Sequence, residues 1–209
     1  MPYSDSLAGT LNLDGKLIIQ SNLGIQNKGE ASSISINNGA CLQLNYGLTA
    51  LGDQVAGGTS ITVNKGATLA LGNLASNAAV ASTALLDVTI KDGATIAAYG
   101  NDATVTVAHQ FDYELGAAIT LQTQQNQTLE MTQALAKVDS VTVQGGGTVQ
   151  LTGGATLSSS ELQDTTLRIS NTKASIDQIT LHDNDLFING TTLSSSELTT
   201  SEQSTITLQ

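Results

Sequence analysis

The stretch ITVNKGATLAL, from Ile61 to Leu71, decides the fold, because three other stretches repeat its pattern. ISINNGACLQL begins at Ile34, VTIKDGATIAA at Val88 and VTVQGGGTVQL at Val141. Each sets two β-branched residues two positions apart, then a polar residue and a glycine that mark a turn, then apolar residues at alternate positions. The first three starts are 27 residues apart, and the fourth lies 53 further on, close to two periods with one degenerate unit between. A unit this short has no core of its own and buries apolar surface only by stacking on its neighbours.

Within a unit the alternation has period two. Ile61, Val63, Ala67, Leu69 and Leu71 point one way, and Thr62, Thr68 and Ala70 the other, which is a strand pattern. Gly39, Gly66, Gly93 and Gly146 fall at one point of the repeat, after Asn38, Lys65, Asp92 and Gly145, where a left-handed residue is needed. Two geometries satisfy this. The turn either closes a three-residue hairpin, pairing Val63 with Ala67 and Ile61 with Leu69, or forms a corner between two sheets of a parallel β-helix. Equal spacing favours the helix, because it stacks like on like: Ile34, Ile61, Val88 and Val141 in one column, Leu42, Leu69, Ile96 and Val149 in another. The predicted fold is all-β, a parallel β-helix (β-solenoid) of roughly 8–10 rungs, about 40–50 Å long at ~4.8 Å per rung. An antiparallel β-meander or sandwich is the alternative.

The phrases TVNKGATLALG and VTVQGGGTVQLTGGATL resemble the autotransporter-associated β-strand repeat of autotransporter passenger domains and related bacterial surface proteins. The resemblance covers residues 30–100 and 138–170. It implies a right-handed β-helix on, or released from, a bacterial cell surface, associated with the outer membrane or secreted.

Composition agrees with a narrow, aliphatic interior. The chain of 209 residues is 40% hydrophobic yet only 3% aromatic, with no Trp and one Pro. Scarce proline suits a backbone committed to ladders. The net charge of −11, with seven basic residues dispersed, disfavours nucleic acid and an anionic membrane surface as partners. Cys41 is the sole cysteine, so there is no internal disulfide. It holds the outward place of Thr68 and Thr95 and reads as a tolerated small residue. Residues 1–8 have neither a basic start nor an apolar run, so no signal peptide is expected within this chain. No run approaches 18 apolar residues, so no membrane insertion of this segment is expected.

One solenoid domain over 1–209 is expected, with an irregular N-terminal cap over 1–30, regular repeats over 31–101, an excursion over 102–137 and degenerate repeats over 138–209. Ala75 to Ala84 fits a short helix or an extended small-residue turn. QTQQNQTLEMTQALAK, from Gln122, fits either a short helix capped by Thr128 or a continued strand. TLSSSEL occurs at Thr156 and again at Thr192, with Leu157, Leu162, Leu193 and Leu198 read as one apolar column in rung turns.

The irregular segment holds the ligand-contacting candidates. In VTVAHQFDYEL, alternation sets His109 with Phe111 and Tyr113, and Asp112 with Glu114 on the opposite face. His109, Tyr113 and Glu114 form a conceivable ligand patch, against the plainer reading of aromatics in a wide rung with two solvated carboxylates. His182, Asp183 and Asp185 offer ligands without a defined metal geometry, so neither a metal nor a cofactor is expected. No GxSxG, HExxH, calcium-loop or aspartic-protease triplet occurs; Asp164-Thr165-Thr166 comes nearest to the last. Asn126 and Asn189 begin glycosylation sequons, relevant only in a eukaryotic secretory pathway.

Two functions fit. The first is an extracellular or cell-surface adhesin or scaffold whose partners are host or matrix glycans and glycoproteins. The second is a secreted hydrolase or lyase acting on a glycan or mucin-like glycoprotein, with Asp112 and Glu114, or Asp183 and Asp185, as paired carboxylates. Oligomeric state is not legible in the sequence.

Overall fold

The computed structural model describes residues 5–7, 9–19, 23–27, 32–44, 48–52, 59–72, 86–100, 104–107, 110–170, 172–182, 184–189, 192–201 and 203–209. All of the regular structure described is strand, and every strand pair is parallel. The chain winds as a β-solenoid with three sheets running along its length and about seven turns. It is therefore the parallel β-helix rather than the meander.

Each turn visits three faces in order. The first face is built in the N-terminal turns from Asp5–Leu7, Leu23–Asn27 and Leu48–Gly52. From Thr104–Val107 onward, a six-stranded sheet ending at Thr205–Leu208 takes the same place in the winding order. The second face begins with Thr10–Leu13, Ser32–Ile36, Thr59–Val63, Leu86–Ile90 and Asp112–Tyr113. The third stacks nine strands from Lys16–Ile19 to Glu197–Thr200. At the two ends of this stack, Lys16–Ile19 is partly covered and Glu197–Thr200 is exposed throughout.

Register makes the core. On the second face Ile34 lies over Ile61 and Ile61 over Val88. On the third, Leu42, Leu69, Ile96, Leu121, Val143, Leu162 and Leu181 form one continuous buried column. On the first, Val105, Leu129, Val149, Leu167 and Leu186 do the same. Aliphatic side chains of similar size pack above one another at each turn, which is why a chain so poor in aromatics fills its interior.

The corner between the second and third faces is the glycine turn. The Asn37 carbonyl accepts from Ala40 N–H at 2.9 Å, with Gly39 at φ 77°, and Asn64 accepts from Ala67 at 3.0 Å, with Gly66 at φ 71°. A positive φ at the third position is the type II turn requirement. The corners are laddered to one another: Gly39 N–H donates to the Gly66 carbonyl, Gly66 N–H to Gly93, and Gly116 N–H to Lys137. An amide column reinforces the edge, with Asn64 Nδ2 donating to Ser35 Oγ at 2.9 Å and Asn37 Nδ2 to Asp14 Oδ1 at 2.6 Å.

Three sequence expectations are corrected. VTVQGGGTVQL is not the fourth copy at this corner: Val141 lies over Ile119 on the third face, and Val149 over Leu129 on the first. Its Gly146 turns the next corner, while the turn of Gly39, Gly66 and Gly93 recurs at Gly116, with the ladder passing from Gly93 N–H to the Ala118 carbonyl and from Gly116 N–H to that of Lys137, itself at φ 68°. The cause is shortening of the turns. Leu69 to Ile96 is 27 residues, whereas Ile96 to Leu121 is 25 and Leu121 to Val143 is 22.

Residues 102–137 do not leave the stack in their described part. Thr104–Val107 pairs with Thr128–Met131, Asp112–Tyr113 with Thr89–Ile90, and Ala117–Gln122 with both neighbouring turns. Of the two readings of QTQQNQTLEMTQALAK, the strand is the one present. Finally, TLSSSEL is strand in its first copy, inside Ala155–Gln163, and its leucines do not form one column. Leu157 lies over Ile176, while Leu193 lies over Ala174 and Leu198 over Ile179. Ala75 to Ala84 lies outside the described residues.

Candidate functional site

His109 and Asp183 lie outside the described residues. The other candidates separate by face. Tyr113 and Phe111 point inward and are 3% and 2% exposed, their rings 6.2 Å apart and edge to face at 74°. Tyr113 continues the interior column of Ile36, Val63 and Ile90. Burial pushes its phenol well above the usual range, and the ring is part of the core.

Asp112 and Glu114 flank Tyr113 on the outside, both exposed. Lys137 Nζ lies 2.7 Å from Asp112 Oδ1. Glu114 Oε2 accepts from Asp92 N–H at 3.0 Å. Asp92 Oδ1 in turn accepts from Ala118 N–H at 3.0 Å, and its other oxygen lies 3.5 Å from Lys65 Nζ. The Ala118 amide first, and Lys65 second, hold the Asp92 carboxyl below the usual carboxylate range. These groups run from the second face to its corner with the third, each carboxylate engaged by a protein donor. Asp185 is on the first face between Thr166 and Thr205, four strands beyond Thr104–Val107. That is roughly 20 Å further along the axis, too far to work with Asp112 or Glu114.

A concave feature lies elsewhere, at the corner between the third and first faces. Gln122, Gln144 and Gln163 superpose as one outward column at the ends of three successive third-face strands. With Gln125, Gly145, Gly146 and Asp164 they line an open groove of about 490 Å³. The depression exists because the middle corner, Gly145-Gly146-Gly147, carries no side chains while the corners before and after it do. Gly145, at φ 108°, sits so close to the preceding turn that a Cβ there would lie 1.9 Å from the Thr123 carbonyl oxygen. A Cβ on Gly147 would lie 2.3 Å from the carbonyl oxygens of both Gln124 and Gln127.

Beneath the groove, buried polar side chains from the turns on either side bond the backbone of the glycine corner and its neighbours. Thr123 Oγ1 accepts from Gly147 N–H at 3.1 Å, and Thr165 Oγ1 donates to the Gly147 carbonyl at 2.9 Å. Asn184 donates to the Leu162 carbonyl at 2.7 Å and accepts from Thr165 N–H at 2.5 Å. Gln127, also buried, donates to the Gly100 carbonyl. These bonds satisfy corner backbone that would otherwise be buried unpaired, and they fix the groove's floor. Beside the groove, Glu161 Oε1 accepts from Gln163 Nε2 at 2.8 Å and lies 3.6 Å from His182 Nε2.

The sequence holds a signal for this site: a glutamine ends each of three strands immediately before a turn, at QTQQ, QGGG and QDTT. Their spacings of 22 and 19 residues differ, which hides the alignment from any fixed-period reading. No group of three or more His, Cys, Asp or Glu side chains suited to a metal ion occurs among the described residues. Compared with known proteins, the chain matches no family model, no curated protein and no solved structure.

Proposed function

We propose that this chain is a β-helical segment of an extracellular or cell-surface protein, an adhesin or scaffold that contacts glycans or glycoproteins through its outer faces. The observation that carries the reading is the periodic polar display. Thr68, Thr95, Thr120 and Thr142 superpose in one outward column on the third face, beside that of Gln122, Gln144 and Gln163. Hydroxyls and amides repeating at ~4.8 Å along a rigid rod suit a repetitive polymer better than a compact metabolite. The resemblance of the repeats to those of autotransporter passenger domains adds a bacterial surface as the setting. A hydrolytic reading finds less support, because paired-carboxylate hydrolysis needs opposed acids across a cleft, and Asp112 and Glu114 project to one side of a single strand segment, each engaged by a protein donor.

The test is a glycan and glycoprotein array with the purified chain, the supernatants assayed for released sugar. Retention without release is the expected result. Release abolished by Asp112→Asn or Glu114→Gln replaces the adhesin with an enzyme.

A further inference from the structure

We propose that the groove at Gln122, Gln144 and Gln163 is a binding site for a neutral, linear oligosaccharide lying along the solenoid axis; this deepens the glycan-contacting reading above and rests on it. The three amides are one turn apart and span about 10 Å, the length of a short oligosaccharide segment. The volume of about 490 Å³ falls in the range of small-ligand sites. Each glutamine amide offers both a donor and an acceptor, and sugar hydroxyls demand both at short, regular intervals. The glycine corner lets a ring approach the backbone where any side chain would block it.

The lining selects the charge class. No Lys or Arg lines the groove, and the one acidic residue in the lining is Asp164. On a chain of net charge −11, sulfated or sialylated glycans are repelled. An extended peptide is the poorer occupant. Peptide strands bind at open sheet edges through main-chain hydrogen bonds, whereas the strands bearing these glutamines are paired on both sides, and no apolar side chain lines the groove beside the amides. Without an aromatic platform in the lining, single-site affinity is weak, with Kd about 1 mM. Avidity from repeated display would raise it.

The ¹⁵N-labelled chain should be titrated with neutral hexasaccharides of glucan, mannan, xylan and galactan type. A heparin hexasaccharide and a Gly-Ser peptide serve as the anionic and peptide probes. At least one neutral probe should shift the side-chain amide signals of Gln122, Gln144 and Gln163 and the backbone amides of Gly145 and Gly146. Gln144→Ala should weaken that binding roughly tenfold while leaving the amide spectrum of distant turns in place. Preference for heparin or the peptide overturns the assignment, as does neutral binding that Gln144→Ala leaves unchanged. Retention on the glycan array with the groove signals unmoved overturns the groove alone and leaves the adhesin standing. No retention on the array and no shift at about 20 mM probe removes both.

Discussion

Two glycines with left-handed backbones show how a single residue's cost depends on what it faces. Gly116, at φ 75°, has nothing within 4 Å of the place an alanine methyl would take, while at Gly145, φ 108°, that place meets the Thr123 carbonyl oxygen. Gly116→Ala should therefore cost only the left-handed strain of about 1–2 kcal/mol. Gly145→Ala adds a backbone collision and should cost roughly 3 kcal/mol or more. Urea unfolding of both variants decides the matter; equal losses would mean that φ alone, and not close approach of the turns, explains the glycine corner. Asp92 carries a second residue-scale expectation. Its carboxyl is held below its ordinary value by the Ala118 N–H and Lys65, so its contribution to stability is present above the unfolded carboxylate value near 4 and is lost as pH falls through the lower folded value. The gap in urea midpoint between the parent chain and Asp92→Asn should be visible at pH 7 and close below about pH 4. A gap unchanged down to about pH 2.5 would assign the effect to shape and not to charge.

At the scale of the element, the strand Asp112–Tyr113 is the place where the pattern and its exception meet. Alternation correctly puts Phe111 and Tyr113 on one side and Asp112 and Glu114 on the other, because period two is a property of the strand itself. Phe111→Ala should cost about 3–5 kcal/mol, since the ring is buried against Tyr113. Tyr113→Phe should change little at neutral pH. In alkali it should help: the buried phenol's raised value means that stability is full below about pH 10 and falls as pH rises past it, while the phenylalanine variant lacks that loss. A parallel alkaline decline in both chains would detach it from Tyr113. The column of Ile34, Ile61 and Val88 was legible for the same local reason, with a constant 27-residue spacing to align it. The place of Val141 was not. Strand, glycine turn and strand make the same local pattern at either corner, and once turns shorten from 27 residues to 25 and then 22, sequence similarity no longer says which corner a copy occupies. The glutamine groove escaped for a related reason, since it is a property of three superposed turns and of no single one.

For the molecule as a whole, stability follows from each turn touching only its neighbours. Interior turns are covered on two sides: Leu121 is fully buried between Ile96 and Val143. The last strand is covered on one: Leu208 lies over Ile188 and is 74% exposed, with Ile206 and Leu198 also exposed. Leu121→Ala should cost about 2–5 kcal/mol, whereas Leu208→Ala should stay within about 0.5 kcal/mol. Hydrogen exchange should show the same gradient. Amides of Ala117–Gln122 and Val138–Gln144 should exchange only through global unfolding, and those of Glu197–Thr200 and Thr205–Leu208 through local opening at far lower free energy. The gradient arises because opening an end turn breaks one inter-turn ladder, while opening a middle turn breaks two and exposes two layers of the aliphatic column. Equal protection along the rod would contradict the nearest-neighbour picture and would require coupling between turns that the parallel ladders do not supply.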